Sequence, residues 1–156
     1  MIKVYFGKPG SGKSTLADEN RCSAFARVYC INSGSERYWE QKENTDCRLL
    51  LANTEDLSLA DITIISLEDR PWLLQHVASK IVEASNSGKN ISILTEKYSE
   101  CLRSIFDNAE CFYFFACSPG AIGDIPVECK PNAMGIDRIL SYNDEFEKHK
   151  YFVYSK

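Results

Sequence analysis

The first fifteen residues constrain the fold more than any other stretch of the chain. Ile2-Lys3-Val4-Tyr5-Phe6 reads as a buried strand and runs directly into Gly7-Lys8-Pro9-Gly10-Ser11-Gly12-Lys13-Ser14, which fits the pattern G-x-x-x-x-G-K-[ST] at every position. A helix is predicted from Lys13 to about residue 22. The glycines let the backbone curl so that successive N–H groups converge on one point, a concavity suited to phosphate oxygens. The helix that follows adds the positive end of its dipole. In such a loop Lys13 reaches the β- and γ-phosphates of a nucleotide, and the Ser14 hydroxyl joins the shell of a Mg²⁺ ion. The candidate nucleotide-binding residues are therefore Gly7, Lys8, Pro9, Gly10, Ser11, Gly12, Lys13, Ser14 and Thr15.

The rest of the chain alternates apolar runs with helical stripes. Strands are predicted at 26–31 (ARVYCI), 47–52 (CRLLLA), 61–67 (DITIISL), 91–94 (ISIL), 111–117 (CFYFFAC) and 150–154 (KYFVY). NSGSE after residue 31 reads as a polar turn, and RYWEQK as a short helix. Apolar residues at 73, 74, 77, 81, 82 and 84 make a helical stripe that Gly88 ends. A further helix is expected over 99–109, and a Pro- and Gly-rich loop over 118–135. Strands alternating with helices imply a three-layer α/β fold, a mainly parallel sheet covered on both faces. There is no repeat and no linker, so residues 1–156 are expected to form one domain.

Composition narrows the setting. The chain is 44% hydrophobic and 26% charged, the balance of a globular protein. No apolar run approaches the roughly 20 residues of a membrane span, and the N-terminus lacks the pattern of a signal peptide. A cytoplasmic protein without a membrane partner is expected. The seven cysteines, Cys22, Cys30, Cys47, Cys101, Cys111, Cys117 and Cys129, are odd in number and include no C-x-x-C pair. That spacing favours free thiols over a zinc site or a disulfide framework. A net charge of −4 argues against a monomer that coats DNA by bulk electrostatics, though not against DNA held in the pore of an assembled ring.

A phosphate loop that supports catalysis needs a carboxylate at the end of a neighbouring strand, to hold the metal shell and to polarise water. ITIISLED supplies Glu68 and Asp69. Two registers are open. In one the strand runs to Leu67 and the two acids serve the site, with Asp69 beside Ser14 as the metal-side residue. In the other Ser66 takes the metal-side position and the site is weakened.

The opening motif resembles that of the P-loop NTPases, which implies ATP or GTP bound with Mg²⁺ on a RecA/ASCE-like fold. Over residues 2–18 and about 60–156 the chain also resembles the FtsK/HerA-type ATPases, in particular their zonular occludens toxin-like and phage genome-packaging branch. The matching features are Thr95-Glu96 at a strand end, Arg103 in a short helix, Asn108-Ala109, the aromatic strand CFYFFAC and the closing EFEKHKYFVYSK. Glu96 stands where that family has a glutamine. The resemblance implies an ATPase acting on double-stranded DNA as a ring, in the host cytoplasm or virion if the chain is viral. It further implies Thr95 and Glu96 as a phosphate sensor, and an arginine given in trans, with Arg103 the first candidate, Arg138 the second and Arg70 the third. Without the family's common transmembrane segment, a soluble packaging motor is expected rather than a membrane-anchored one. Two other readings stay open: a nucleoside or nucleotide kinase similar to the thymidine kinases, which the length and strand order suit, and a nucleotide-binding switch, which follows from the Ser66 register.

Overall fold

The computed structural model describes residues 1–21, 23–51 and 57–156. Cys22, with the expected end of the first helix, and Ala52, at the end of the strand expected over 47–52, lie outside the described residues. Seven strands form one sheet: β1 (Ile2–Phe6), β2 (Ala26–Cys30), β3 (Thr45–Leu49), β4 (Ile62–Glu68), β5 (Asn90–Thr95), β6 (Cys111–Phe114) and β7 (Phe152–Ser155). Their spatial order is β3-β2-β4-β5-β1-β6-β7. All neighbours pair parallel except β6 and β7, which are antiparallel.

The helices are α1 (Lys13–Glu19), α2 (Ser33–Glu40), α3 (Ala78–Asn86), α4 (Arg103–Asn108), α5 (Pro119–Gly123) and α6 (Ala133–Ser141). Leu16 and Ala17 of α1 and Trp39 of α2 pack on one face of the sheet with Tyr5, Val28, Ile64 and Phe115. Ile81 of α3, Ile105 and Phe106 of α4, Ile122 of α5 and Ile139 of α6 cover the other face with Val4, Ile65, Ile93 and Phe112. Each central strand thus buries side chains on both faces, which is why β1 and β5 read as nearly continuous apolar runs. The architecture is three-layer α/β, as expected.

Three local expectations differ from the structure. The stripe over 71–88 is a 3₁₀ turn, Pro71–Leu74, followed by α3. Both geometries bury Leu73, Leu74, Val77 and Ile81, so spacing alone did not distinguish them. NSGSE is no turn: Asn32 accepts from the Ser35 amide at 2.9 Å and starts α2 one residue later. The Pro- and Gly-rich segment over 118–135 contains α5 and the first turn of α6. Ser118 caps α5 with Pro119 in its first turn, where a missing N–H has no cost, and Asn132 caps α6.

Candidate functional site

The loop after β1 emerges between the C-terminal ends of β5 and β6. In a parallel sheet this is the edge where ligands bind, in the crevice where connections leave to opposite sides. The Gly7 amide donates to the Thr95 carbonyl at 3.1 Å, and the Lys8 amide to the Ala116 carbonyl at 2.8 Å. The root of the loop is thereby pinned to both neighbours. A side chain at position 7 has no room, because a Cβ there would lie 2.6 Å from Phe115 Cβ. Further along, Gly10 (φ +71°) and Gly12 (φ +99°) take left-handed conformations that turn the chain into α1. Gly12 is the N-cap of α1 and offers no side chain to its first amides. Those donors remain available to an anion.

Lys13 is 8% exposed, and its ammonium donates to the Gly7 carbonyl at 2.7 Å and the Lys8 carbonyl at 2.9 Å. Burial lowers its pKa to about 8, against the opposing pull of Glu96 and Glu68. The Ser11 hydroxyl is also buried and has no hydrogen-bond partner among the described residues. A buried cation satisfied only by its own loop, beside an unsatisfied hydroxyl, is a site arranged for an acceptor-rich ligand.

Opposite the loop stand the acids. Strand β4 extends through Glu68 with a bulge between Ser66 and Glu68, and Glu68 itself has φ +50°. The bulge places Ser66 and Glu68 on the same cleft, so the two registers read from sequence are merged. The Glu68 carboxylate accepts from Ser35 Oγ at 2.6 Å and from Asn32 Nδ2 at 3.2 and 3.3 Å. Asp69 follows in an exposed turn, with Arg70 Nε 4.0 Å from its carboxylate. Glu96 joins them from the end of β5, its carboxyl pushed up by burial while Lys13 draws it down. Thr95 is fully buried; its hydroxyl donates to the Lys97 carbonyl at 2.7 Å and lies 3.3 Å from the Glu68 carbonyl. The resulting open cleft of about 580 Å³ has the glycine-rich loop on one side and Ser66, Glu68, Asp69 and Glu96 on the other. The Ser14 hydroxyl and the carboxylates are hard oxygen donors, the chemistry that suits Mg²⁺.

No protein-family model matches the chain, and no curated protein does. Solved structures do match. The genome packaging NTPase B204 from Sulfolobus turreted icosahedral virus 2, in complex with AMP, superposes with a TM-score of 0.61 at 11% identity, over 99% of this chain and 91% of that one. The same protein in complex with sulfate gives 0.63 at 12% identity, over 99% and 90%. B204 from Sulfolobus turreted icosahedral virus, the DNA-packaging ATPase, gives 0.55 at 10%, over 99% and 91%. The fold is that of a P-loop NTPase.

Within this fold, loop residues 9–15, Glu68, Asp69 and Glu96 line one cleft, while Gly7 and Lys8 form the root of the loop outside it and Thr95 holds the strand end behind. Arg103 does not line the cleft. It is paired with Asp107 at 3.1 Å and with Glu128 on the flank of α4. Arg138 is exposed on α6, also outside the cleft. Sequence reasoning missed Asn32 and Ser35, whose signal was the cap directly after β2, and His149, which reaches the cleft from the segment before β7. Among the described residues no helix is long and apolar enough to cross a membrane.

Proposed function

We propose that the protein binds ATP with Mg²⁺ on the Gly7–Thr15 loop and hydrolyses it to drive DNA translocation or packaging as a ring. The observation that carries this reading is the buried, loop-bonded Lys13 ammonium facing Glu68, Asp69 and Glu96 across one cleft. In the bound state Lys13 exchanges its loop carbonyls for phosphate oxygens, and the amides at the start of α1 orient the polyphosphate. Ser14, with Asp69 beyond it, would hold Mg²⁺, which supplies charge neutralisation on the phosphates. In this reading Glu68 accepts a proton from water as the water oxygen attacks the γ-phosphorus and the bond to the β-phosphate oxygen breaks, giving ADP and phosphate. The Asn32 and Ser35 contacts hold this carboxylate in position. In this reading Glu96, which lines the same cleft, senses the γ-phosphate.

Two observations support the ring and the DNA. The fold is shared with genome-packaging NTPases. Among the described residues no arginine lines the cleft, which leaves room for an arginine from a neighbouring subunit to join Lys13 in stabilising charge on the departing phosphoryl group. Arg103 would have to leave two carboxylates to serve, whereas Arg138 has no ion-pair partner among the described residues. The test is ATP turnover per subunit from nanomolar to micromolar protein, with and without double-stranded DNA. Turnover should rise with both variables, and mixing Lys13→Ala with Arg103→Ala or Arg138→Ala protein should restore part of it. Flat turnover that requires a nucleoside acceptor would replace the motor with a kinase.

A further inference from the structure

Beside the phosphate cleft, on the α1 face of the sheet, lies a second cavity of about 350 Å³. The two share Gly12, Thr15 and His149, so they adjoin along that rim. Their chemistry differs sharply. The first is lined by the loop and acids, while the second has Leu16 and Phe115 as an apolar floor, 8% and 1% exposed. Its wall is Tyr151, which is 42% exposed although its ring is braced by Phe115 at 5.5 Å and Tyr113 at 6.0 Å between centroids. Glu19 stands at the rim. An aromatic ring held rigid by its neighbours yet left open to solvent loses little conformational freedom when a flat ligand stacks on it.

Accepting the phosphate-loop reading of the previous section, on which this rests, we propose that this cavity seats the purine base of the nucleotide. Tyr151 is the stacking surface and His149 closes the junction between base and phosphates. The shared rim, Gly12 and Thr15, belongs to the loop and the first turn of α1, so a polyphosphate on the loop lies within reach of the aromatic cavity. The group joined to it through the ribose therefore enters the aromatic cavity. Its apolar floor and open ring fit a planar fused heterocycle, and the acceptor-only carboxylate of Glu19 can receive an N–H from the edge of the base. Base stacking on an aromatic side chain is sequence-tolerant, so adenine and guanine are both admitted and the smaller pyrimidines gain less.

The experiment compares binding of ATP, GTP, UTP and inorganic tripolyphosphate to the full chain by calorimetry. The wild type should bind the purine nucleotides more tightly than UTP or tripolyphosphate. Tyr151→Ala should weaken ATP and GTP about tenfold or more while leaving tripolyphosphate within about twofold; Tyr151→Phe should retain purine affinity. In Tyr151→Trp protein, ATP should quench the new indole fluorescence and tripolyphosphate should not. This reporter serves if the alanine variant proves unstable. Unchanged purine affinity in Tyr151→Ala, equal loss of tripolyphosphate, or quenching by tripolyphosphate alone would each overturn the base seat and leave the loop reading intact. Failure of the wild type to bind tripolyphosphate or any nucleotide, with Lys13→Ala indistinguishable from it, would remove the loop reading and the seat together.

Discussion

Replacing Gly7 with alanine tests whether the phosphate loop depends on close backbone packing. The added Cβ would lie 2.6 Å from Phe115 Cβ, 3.1 Å from the Ala116 carbonyl oxygen and 3.3 Å from the Phe115 carbonyl carbon. Carbon atoms pack at about 3.5–4.0 Å, so the end of β1 must move about 1 Å away from β6. No rotamer change relieves the contact, because all three atoms belong to the backbone or are fixed to it. The same carbonyl of Ala116 accepts the Lys8 amide at 2.8 Å, and the movement breaks that bond. Overpacking costs about 1–3 kcal/mol and the lost hydrogen bond about 0.5–1.5 kcal/mol, giving about 1.5–4.5 kcal/mol in all. Urea unfolding should show the midpoint falling by about 1–2 M with an unchanged slope. The control is Gly10→Ala, where nothing lies within 4 Å and only the left-handed φ of +71° is strained. That change should cost about 1–2 kcal/mol. If Gly7→Ala proves no more destabilising than Gly10→Ala, the contact argument is refuted and the glycine at position 7 has another cause.

Three further outcomes are expected. Lys13→Ala should keep the fold and lose most nucleotide affinity, measured by calorimetry; equal binding by mutant and wild type would remove Lys13 from the site. Burial lowers the Lys13 pKa to about 8 from 10.5, so the empty protein loses this proton as pH rises while bound polyphosphate requires it. Nucleotide affinity should therefore fall about tenfold between pH 7 and pH 9, with proton uptake approaching one per nucleotide at pH 9; affinity independent of pH across that interval would contradict the burial argument. For the empty protein the sign reverses: between about 8 and 10.5 the unfolded chain holds more protons, so this group's contribution to stability grows across that window. Finally, of Glu68→Gln and Asp69→Asn, at least one should lower ATP turnover by about 10²-fold without preventing nucleotide binding; normal turnover in both would shift the proton-accepting role to Glu96.

The glycine-rich loop between strand and helix was legible in the sequence because its parts are contiguous in the chain. Strand, glycines, lysine and helix start lie within fifteen residues, so local backbone preference shapes the turn, while the Thr95 and Ala116 carbonyls pin its root. The apolar runs likewise implied the three-layer class, since strands buried on both faces need helices on either side. The acids at 68 and 69 were visible as the end of one such run, but their register was not: the bulge that brings Ser66 and Glu68 to the same cleft arises from pairing with β5. Only the tertiary structure placed β5 between β1 and β4 and so brought Glu96 beside Lys13. It also carried Asn32 and Ser35 to a carboxylate more than thirty residues away, and His149 and Tyr151 to the helix that begins at Lys13. It took Arg103 in the other direction, onto Asp107 and Glu128 and away from the cleft. Such meetings depend on strand order and on which face a connection crosses, quantities set by the packing of the whole sheet, and no short segment encodes them alone.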